Sequence, residues 1–156
     1  GNFNCFINNL TSLKNGPIEV KKSYYAYCNH LISLEGSPRG VGKSFHVGDN
    51  YLIDLSGLPL AIGEILSFDN TISSISTGQT NCNVKRVEIQ QQDVGVDETK
   101  TLPKILVEHQ NSLHTVFKYQ SYLDIYNEDN SFNIENFYCI IQEIQDGLRY
   151  EYNIIK

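Results

Sequence analysis

Apolar positions recur along the first 95 residues at one fixed interval. Leu10, Leu31 and Leu52 fall on it, as do Leu13, Leu34 and Leu55, and Val20, Val41 and Ile62. Other residue types keep the same register: Phe3, Tyr24 and Phe45; Asn8, Asn29 and Asn50; Pro17, Pro38 and Pro59. The interval is 21 residues, as from Asn8 to Asn29. A fixed period of this size predicts a solenoid, in which each repeat buries its apolar face only by stacking on the next.

Within a repeat the alternation is that of a short strand. Residues 20–31 read V-K-K-S-Y-Y-A-Y-C-N-H-L, and residues 41–52 read V-G-K-S-F-H-V-G-D-N-Y-L. A fourth copy reads Ile62, Ile65, Ser67, Asn70, Ile72, and a weaker fifth reads Val84, Val87, Ile89, Gln92, Val94. Each repeat thus supplies one strand of a parallel sheet, with successive side chains on opposite faces. The inward columns are Phe3, Tyr24, Phe45, Ile65, Val87 and Cys5, Ala26, Val47, Ser67, Ile89. Asn8, Asn29, Asn50 and Asn70 form a ladder where the chain leaves the strands. There their amides bond turn backbone groups that would otherwise be unsatisfied, each costing about 1–3 kcal/mol. Gly16-Pro17, Gly36-Ser37-Pro38 and Gly57-Leu58-Pro59 end the strand region. Proline disfavours helix before it, so the return is expected to be extended or 3₁₀.

The pattern resembles the leucine-rich-repeat consensus L-x-x-L-x-L-x-x-N-x-L, with the first apolar position one residue early at Val20 and Val41. The runs L-T-S-L-K-N-G-P-I-E-V at 10–20 and L-I-S-L-E-G-S-P-R-G-V-G at 31–42 are similar to short leucine-rich repeats of small proteins from large tailed bacteriophages. The likeness covers residues 1 to 95. It implies an α/β-type solenoid: a short parallel β-sheet of about four and a half repeats with a mostly non-helical convex side, ending in a helical segment. It also implies a phage origin and work in the bacterial host cytoplasm, and carries no reaction with it.

The period stops near Val94. Residues 95–102 are a polar linker, and residues 96–156 are expected to form a helical C-terminal cap over the exposed end of the sheet. Pro103 suits a helix start. Leu113, Val116, Phe117, Leu123 and Tyr126 mark a second helix, and N-E-D-N-S at 127–131 a loop. Asn133 is placed to cap a third helix carrying Ile134, Phe137, Tyr138, Ile141 and Ile144, with Gly147 as its stop. The last eight residues alternate and read as a strand or tail.

The remaining strand positions point outward. One column is Asn4, Tyr25, His46, Leu66, Glu88; the next is Phe6, Tyr27, Gly48, Phe68, Gln90; the last is Ile7, Cys28, Asp49, Asp69, Gln91. Phe6, Tyr25, Tyr27, His46, Leu66 and Phe68 together make an aromatic and apolar patch of the kind found at interface centres. Asp49, Asp69 and Glu88 rim it, and Gly48 leaves a notch. The expected function is therefore non-enzymatic protein binding through this face, with a host or virion protein as partner. A virion structural or decoration protein is the alternative. A small enzyme with a site in the helical third, at His109, His114 or Asp124, is a second one.

Composition narrows these readings a little. The 156 residues carry 12 basic and 18 acidic side chains, a net charge of −6, which argues against nucleic acid as a partner. No apolar run approaches the ~20 residues of a membrane span and no signal-peptide pattern opens the chain, so no membrane partner is expected. G-N-F-N-C-F at the start lacks the Ser or Thr of a myristoylation signal, having Cys5 there. No C-x-x-C occurs among the four cysteines, so neither a zinc site nor a redox pair is expected, and no cofactor is. S-P-R-G-V-G-K-S at 37–44 is similar to a phosphate-binding loop, but its first position is Ser37 and a strand, not a helix, is expected to follow. His109 and His114 lie five apart, about 140° around a helix rather than on one side.

Overall fold

The computed structural model describes residues 1–78, 80–92, 96–119 and 125–155, with Glu98 and residues 148–155 as backbone only. Two compact units divide the chain, Gly1–Ser121 and Tyr122–Lys156.

The first unit is a parallel β-solenoid of about four turns. Its strands are β1 (Phe3–Asn4), β2 (Glu19–Val20), β3 (Tyr24–Tyr25), β4 (Gly40–Val41), β5 (Phe45–His46), β6 (Ala61–Asp69) and β7 (Asn83–Gln90). All pairings between them are parallel, in the order β1-β3-β5-β6-β4-β2, with β7 on β6. No helix interrupts the described residues before position 98, so the return path is non-helical, as its prolines require. It carries a feature the one-strand repeat does not foresee. Glu19–Val20, Gly40–Val41 and the start of β6 form a second strand column. Val20, Val41 and Ile62 are buried there. Glycine lets the turns approach: a side chain on Gly42 would begin 2.0 Å from the Lys21 carbonyl oxygen, and one on Gly63 equally close to that of Gly42.

Stacking is exact in period through the third and fourth turns. Phe3 pairs with Tyr24, Tyr24 with Phe45, Phe45 with Leu66, and Leu66 with Val87. This corrects the fourth repeat. Leu66, not Ile65, stands in the inward column, and Phe68, not Ser67, in the next. Both Leu66 and Phe68 are fully buried. The L-x-x-L reading of Ile62 and Ile65 moved the strand by one residue, and such a slip sends every side chain to the opposite face. The repeat does lose a residue, but later. Leu34 N–H donates to the Ser56 carbonyl, whereas one turn on Leu55 N–H donates to Ser76, one residue short of the period.

Left-handed backbone marks the corners in register. Ile7, Cys28 and Asp49 have φ of 55°, 56° and 49°; Asn15, Gly36, Gly57 and Gly78 have φ of 67°, 90°, 91° and 70°. At Gly36 and Gly57 a side chain would also start 2.5 Å from a backbone nitrogen of the turn below, so glycine is required twice over.

The solenoid closes on α1 (Lys104–Glu108), a 3₁₀ turn (Gln110–Ser112) and α2 (Leu113–Lys118). Leu102, Leu106, Leu113, Val116 and Phe117 are buried. The Phe117 carbonyl accepts from Cys82 N–H at 2.8 Å, and Gln110 Oε1 from Ile89 N–H at 3.1 Å, so this segment occupies one donor just before β7 and one within it. The expected second helix is shorter than its apolar stripe: α2 ends at Lys118, and Leu123 and Asp124, like Val94, lie outside the described residues.

In the second unit Tyr126 bridges to Phe132 around the expected loop. Asn133 Oδ1 accepts from Asn136 N–H at 3.0 Å and so caps α3 (Ile134–Ile155). Gly147 does not stop this helix, which continues through the segment expected as strand or tail.

Candidate functional site

The outward columns of the solenoid follow from the corrected register: Asn4, Tyr25, His46, Ser67, Glu88, and beside it Phe6, Tyr27, Gly48, Asp69, Gln90. Turns repeat at the inter-strand spacing of about 4.8 Å, so flat side chains one period apart stack face to face. Two such pairs form. Phe6 and Tyr27 have ring centroids 4.9 Å apart and planes 5° from parallel; Tyr25 and His46 are 5.0 Å apart and 7° from parallel. Tyr25 meets Tyr27 edge to face at 6.4 Å, joining the two stacks into one cluster. Phe6 is exposed, and Tyr25, Tyr27 and His46 are half-buried.

Among the expected site residues, these four come together. Leu66 and Phe68 do not join them, because both lie in the core. Their places on the outer face are taken by Ser67 and Asp69. Asp69 is itself only 6 % exposed. Its Oδ2 accepts from Asp49 N–H at 2.6 Å, and its Oδ1 lies 3.0 Å from where a side chain on Gly48 would begin. Burial holds the Asp69 carboxyl above the usual range, opposed by hydrogen bonds from Asp49 N–H and the Gln92 side chain. Asp49 is exposed and accepts from the Cys28 thiol at 3.5 Å. Burial, with that hydrogen bond, raises the Cys28 thiol, which leaves it a poor nucleophile. Glu88 pairs with Arg86 at 2.8 Å. Burial lowers His46, with Glu88 pulling the other way, so the imidazole favours its neutral form.

The asparagine ladder is strongest in the middle. Asn29 Oδ1 accepts from Asn8 N–H and Leu10 N–H, both at 2.9 Å, and its Nδ2 donates to the carbonyls of Cys5 and Ala26. Asn50 repeats the pattern one turn on, accepting from Leu31 N–H and donating to Ala26, Val47 and Gly48. Asn8 is exposed at the first turn. Asn70, one residue off the period, has Oδ1 accepting from Gln92 N–H at 2.9 Å.

The other candidate residues stand elsewhere. His114 lies on α2 at the wall of a shallow depression with Lys85 and Lys118, and His109 is the C-cap of α1. Asp124 lies outside the described residues. Cys5, Cys28, Cys82 and Cys139 are free thiols. Among the described residues no group of three or more His, Cys, Asp or Glu stands close enough to hold a metal ion. No helix among them is long and apolar enough to cross a membrane.

Sequence reading found the aromatic columns but missed Ser67 and the true place of Asp69. The available signal was strict period: Ile62 already follows Val41, so Phe45 calls for Leu66. Comparison with known protein families, with curated proteins and with solved structures finds no match.

Proposed function

We propose that the solenoid is a non-enzymatic protein-binding module whose contact surface is the cluster of Phe6, Tyr25, Tyr27 and His46. One observation carries this reading: two parallel ring pairs are held partly exposed on a stack of rigid turns. Rings fixed by their neighbours lose little entropy on binding, which is what makes aromatic side chains effective interface anchors. Asp49 and Glu88 at the edge favour a partner with basic residues and speed its approach. The likeness of the repeats to short leucine-rich repeats of tailed phages supports a phage-encoded protein acting on a host protein in the bacterial cytoplasm.

The test is retention of a partner from host lysate on the immobilised chain, read by mass spectrometry, against the variant Phe6→Ala, Tyr25→Ala, Tyr27→Ala. Phe68 stays out of the set because its truncation attacks the core. Loss of the partner with an unchanged circular dichroism spectrum is expected. Equal retention by the folded triple variant rules the face out.

A further inference from the structure

The second strand column has no large side chain over its middle turns. Gly40, Gly42, Ala61 and Gly63 stand there and floor a shallow trough of about 460 Å³. Gly42 and Gly63 approach the preceding turns too closely to be replaced by anything larger, so the floor stays bare. The Glu19 carboxylate lies over Gly40 at one end, beside Lys21. At the other end the trough runs into a depression of about 410 Å³, with Ile62 and Asn83 common to both. Lys85 of β7 meets His114 and Lys118 of α2 there. The two α2 residues are four apart and so share one side of the helix. The Lys118 ammonium also stands 5.4 Å from the Tyr119 ring centre. Among the described residues no carboxylate lines this depression, and Lys85, His114 and Lys118 form no ion pair. Glu64, brought beside Lys85 by the irregularity between β6 and β7, is exposed and does not pair with it. A basic cluster thus gathers at the end of an apolar trough, in a chain of net charge −6.

We infer that the trough and its basic end form a second contact surface, one that takes an extended acidic segment of a partner protein. One carboxylate side chain of the segment meets Lys85, His114 and Lys118, and an apolar side chain two residues along lies on the glycine floor. The spacings agree. Solenoid turns repeat about every 4.8 Å, and alternate side chains of an extended segment stand about 6.7 Å apart. A segment lying along the solenoid axis therefore sets its second side chain between Gly63 and Gly42, one to two turns from Lys85. Charge selects the acid, and a floor of backbone and the Ala61 methyl selects the apolar neighbour. Single-stranded nucleic acid suits the trough less. Among the described residues no Phe or Tyr lines it to stack a base, and the acidic chain repels a polyanion. The inference goes beyond the ring cluster, which belongs to the first strand column and has Asp49 and Glu88, of the opposite charge, at its edge.

The experiment titrates the intact chain with the acetylated, amidated pentapeptide Glu-Thr-Leu-Thr-Glu, which offers an acid in either direction. Backbone amides and the His114 ring are followed by NMR. Saturable shifts at Gly63, Lys85 and His114 are expected, with a dissociation constant on the order of millimolar. The peptide Gln-Thr-Leu-Thr-Gln should bind about fivefold more weakly, and so should the parent peptide to Lys85→Gln, Lys118→Gln. Ala61→Phe, which fills the trough and keeps every charge, should abolish the Gly63 shift. Absence of saturable shifts overturns the inference. So do equal binding of the glutamine peptide, unchanged binding to the folded lysine variant, and a Gly63 shift that survives in folded Ala61→Phe. Inorganic phosphate or a thymidine pentanucleotide that shifts the same signals as tightly as the peptide overturns it too, in favour of a site for anions at large. None of these results bears on the pull-down, whose triple variant leaves the trough intact.

Discussion

The early turns and the late turns build one 21-residue period with different materials. In the early turns the strands are two residues long, and corners at Lys21–Ser23 and Gly42–Ser44 separate the two strand columns. Side-chain amides hold these turns: Asn29 and Asn50 each reach into the turn before their own. In the late turns the corner straightens, and β6 and β7 run nine and eight residues along each other with one irregularity between Ile62 and Ile65. Backbone ladder bonds replace the amides, and Asn70 becomes a minor contributor. A backbone left without ladder partners needs side-chain partners, and the same groups cannot serve twice. The aromatic cluster lies at the early turns, where the short strands leave the outer surface to stacked side chains.

Core truncation should give the largest effect and the sharpest test of where the late turns place their aromatic residue. Phe68→Ala is expected to cost about 3–5 kcal/mol, because a fully buried ring is removed. Phe6→Ala, on the exposed side of the early turns, should cost about 1 kcal/mol or less. Urea denaturation of both variants measures the difference. Equal losses would mean that Phe68 is no more a core residue than Phe6.

Next in size is the ladder itself. Asn29→Leu leaves the N–H groups of Asn8 and Leu10 and the carbonyls of Cys5 and Ala26 without their partner in a buried corner. A loss of about 2–4 kcal/mol is expected. Asn70→Leu removes a bond to Gln92 N–H near the surface and should cost about 1 kcal/mol. If the two variants melt together, the amides are not what separates early turns from late ones.

Glycine makes a smaller and signed comparison, now across the two units. Gly57→Ala places a methyl 2.5 Å from Glu35 N at a φ of 91°, and should destabilise by more than about 1 kcal/mol. Gly147→Ala sits inside α3 with open space around it and should stabilise that helix by about 0.5–1 kcal/mol. Helicity and thermal melting of the two variants should move in opposite directions.

The period, the inward columns of the first three turns and the corners at Asn29 and Asn50 were legible in the sequence, because each repeats in strict register and burial demands one residue type; Asn8, exposed, and Asn70, one residue off the period, do not repeat their bonds. The fourth turn was misread for a physical reason. Ile65 and Leu66 are both apolar, so the inward column is ambiguous by one residue, and Ile65 is half-buried at the straightened corner. The later one-residue loss, felt by Ser76 and Ile75, pulled the reading of the whole repeat early. The second strand column was hidden because its members are Gly40 and Ala61 as often as valine. Gly147 misled in the other direction: nothing near it takes advantage of a left-handed residue, so the helix continues.

The smallest effect concerns Asp69, where the late turns meet the open face. Burial raises its folded pKa, Asp49 adds to the rise through its charge, and hydrogen bonds from Asp49 N–H and Gln92 oppose it. A raised folded pKa means that the folded state holds the proton more tightly than the unfolded chain does. The stability this contributes is fully present below the unfolded carboxylate pKa, and is lost as pH rises through the folded one. Asp69→Asn keeps an oxygen for Asp49 N–H and does not titrate. The melting temperature of the parent should therefore fall relative to Asp69→Asn between about pH 3 and about pH 7. A gap that stays constant over that range would show that Asp69 is ionised as freely in the fold as out of it.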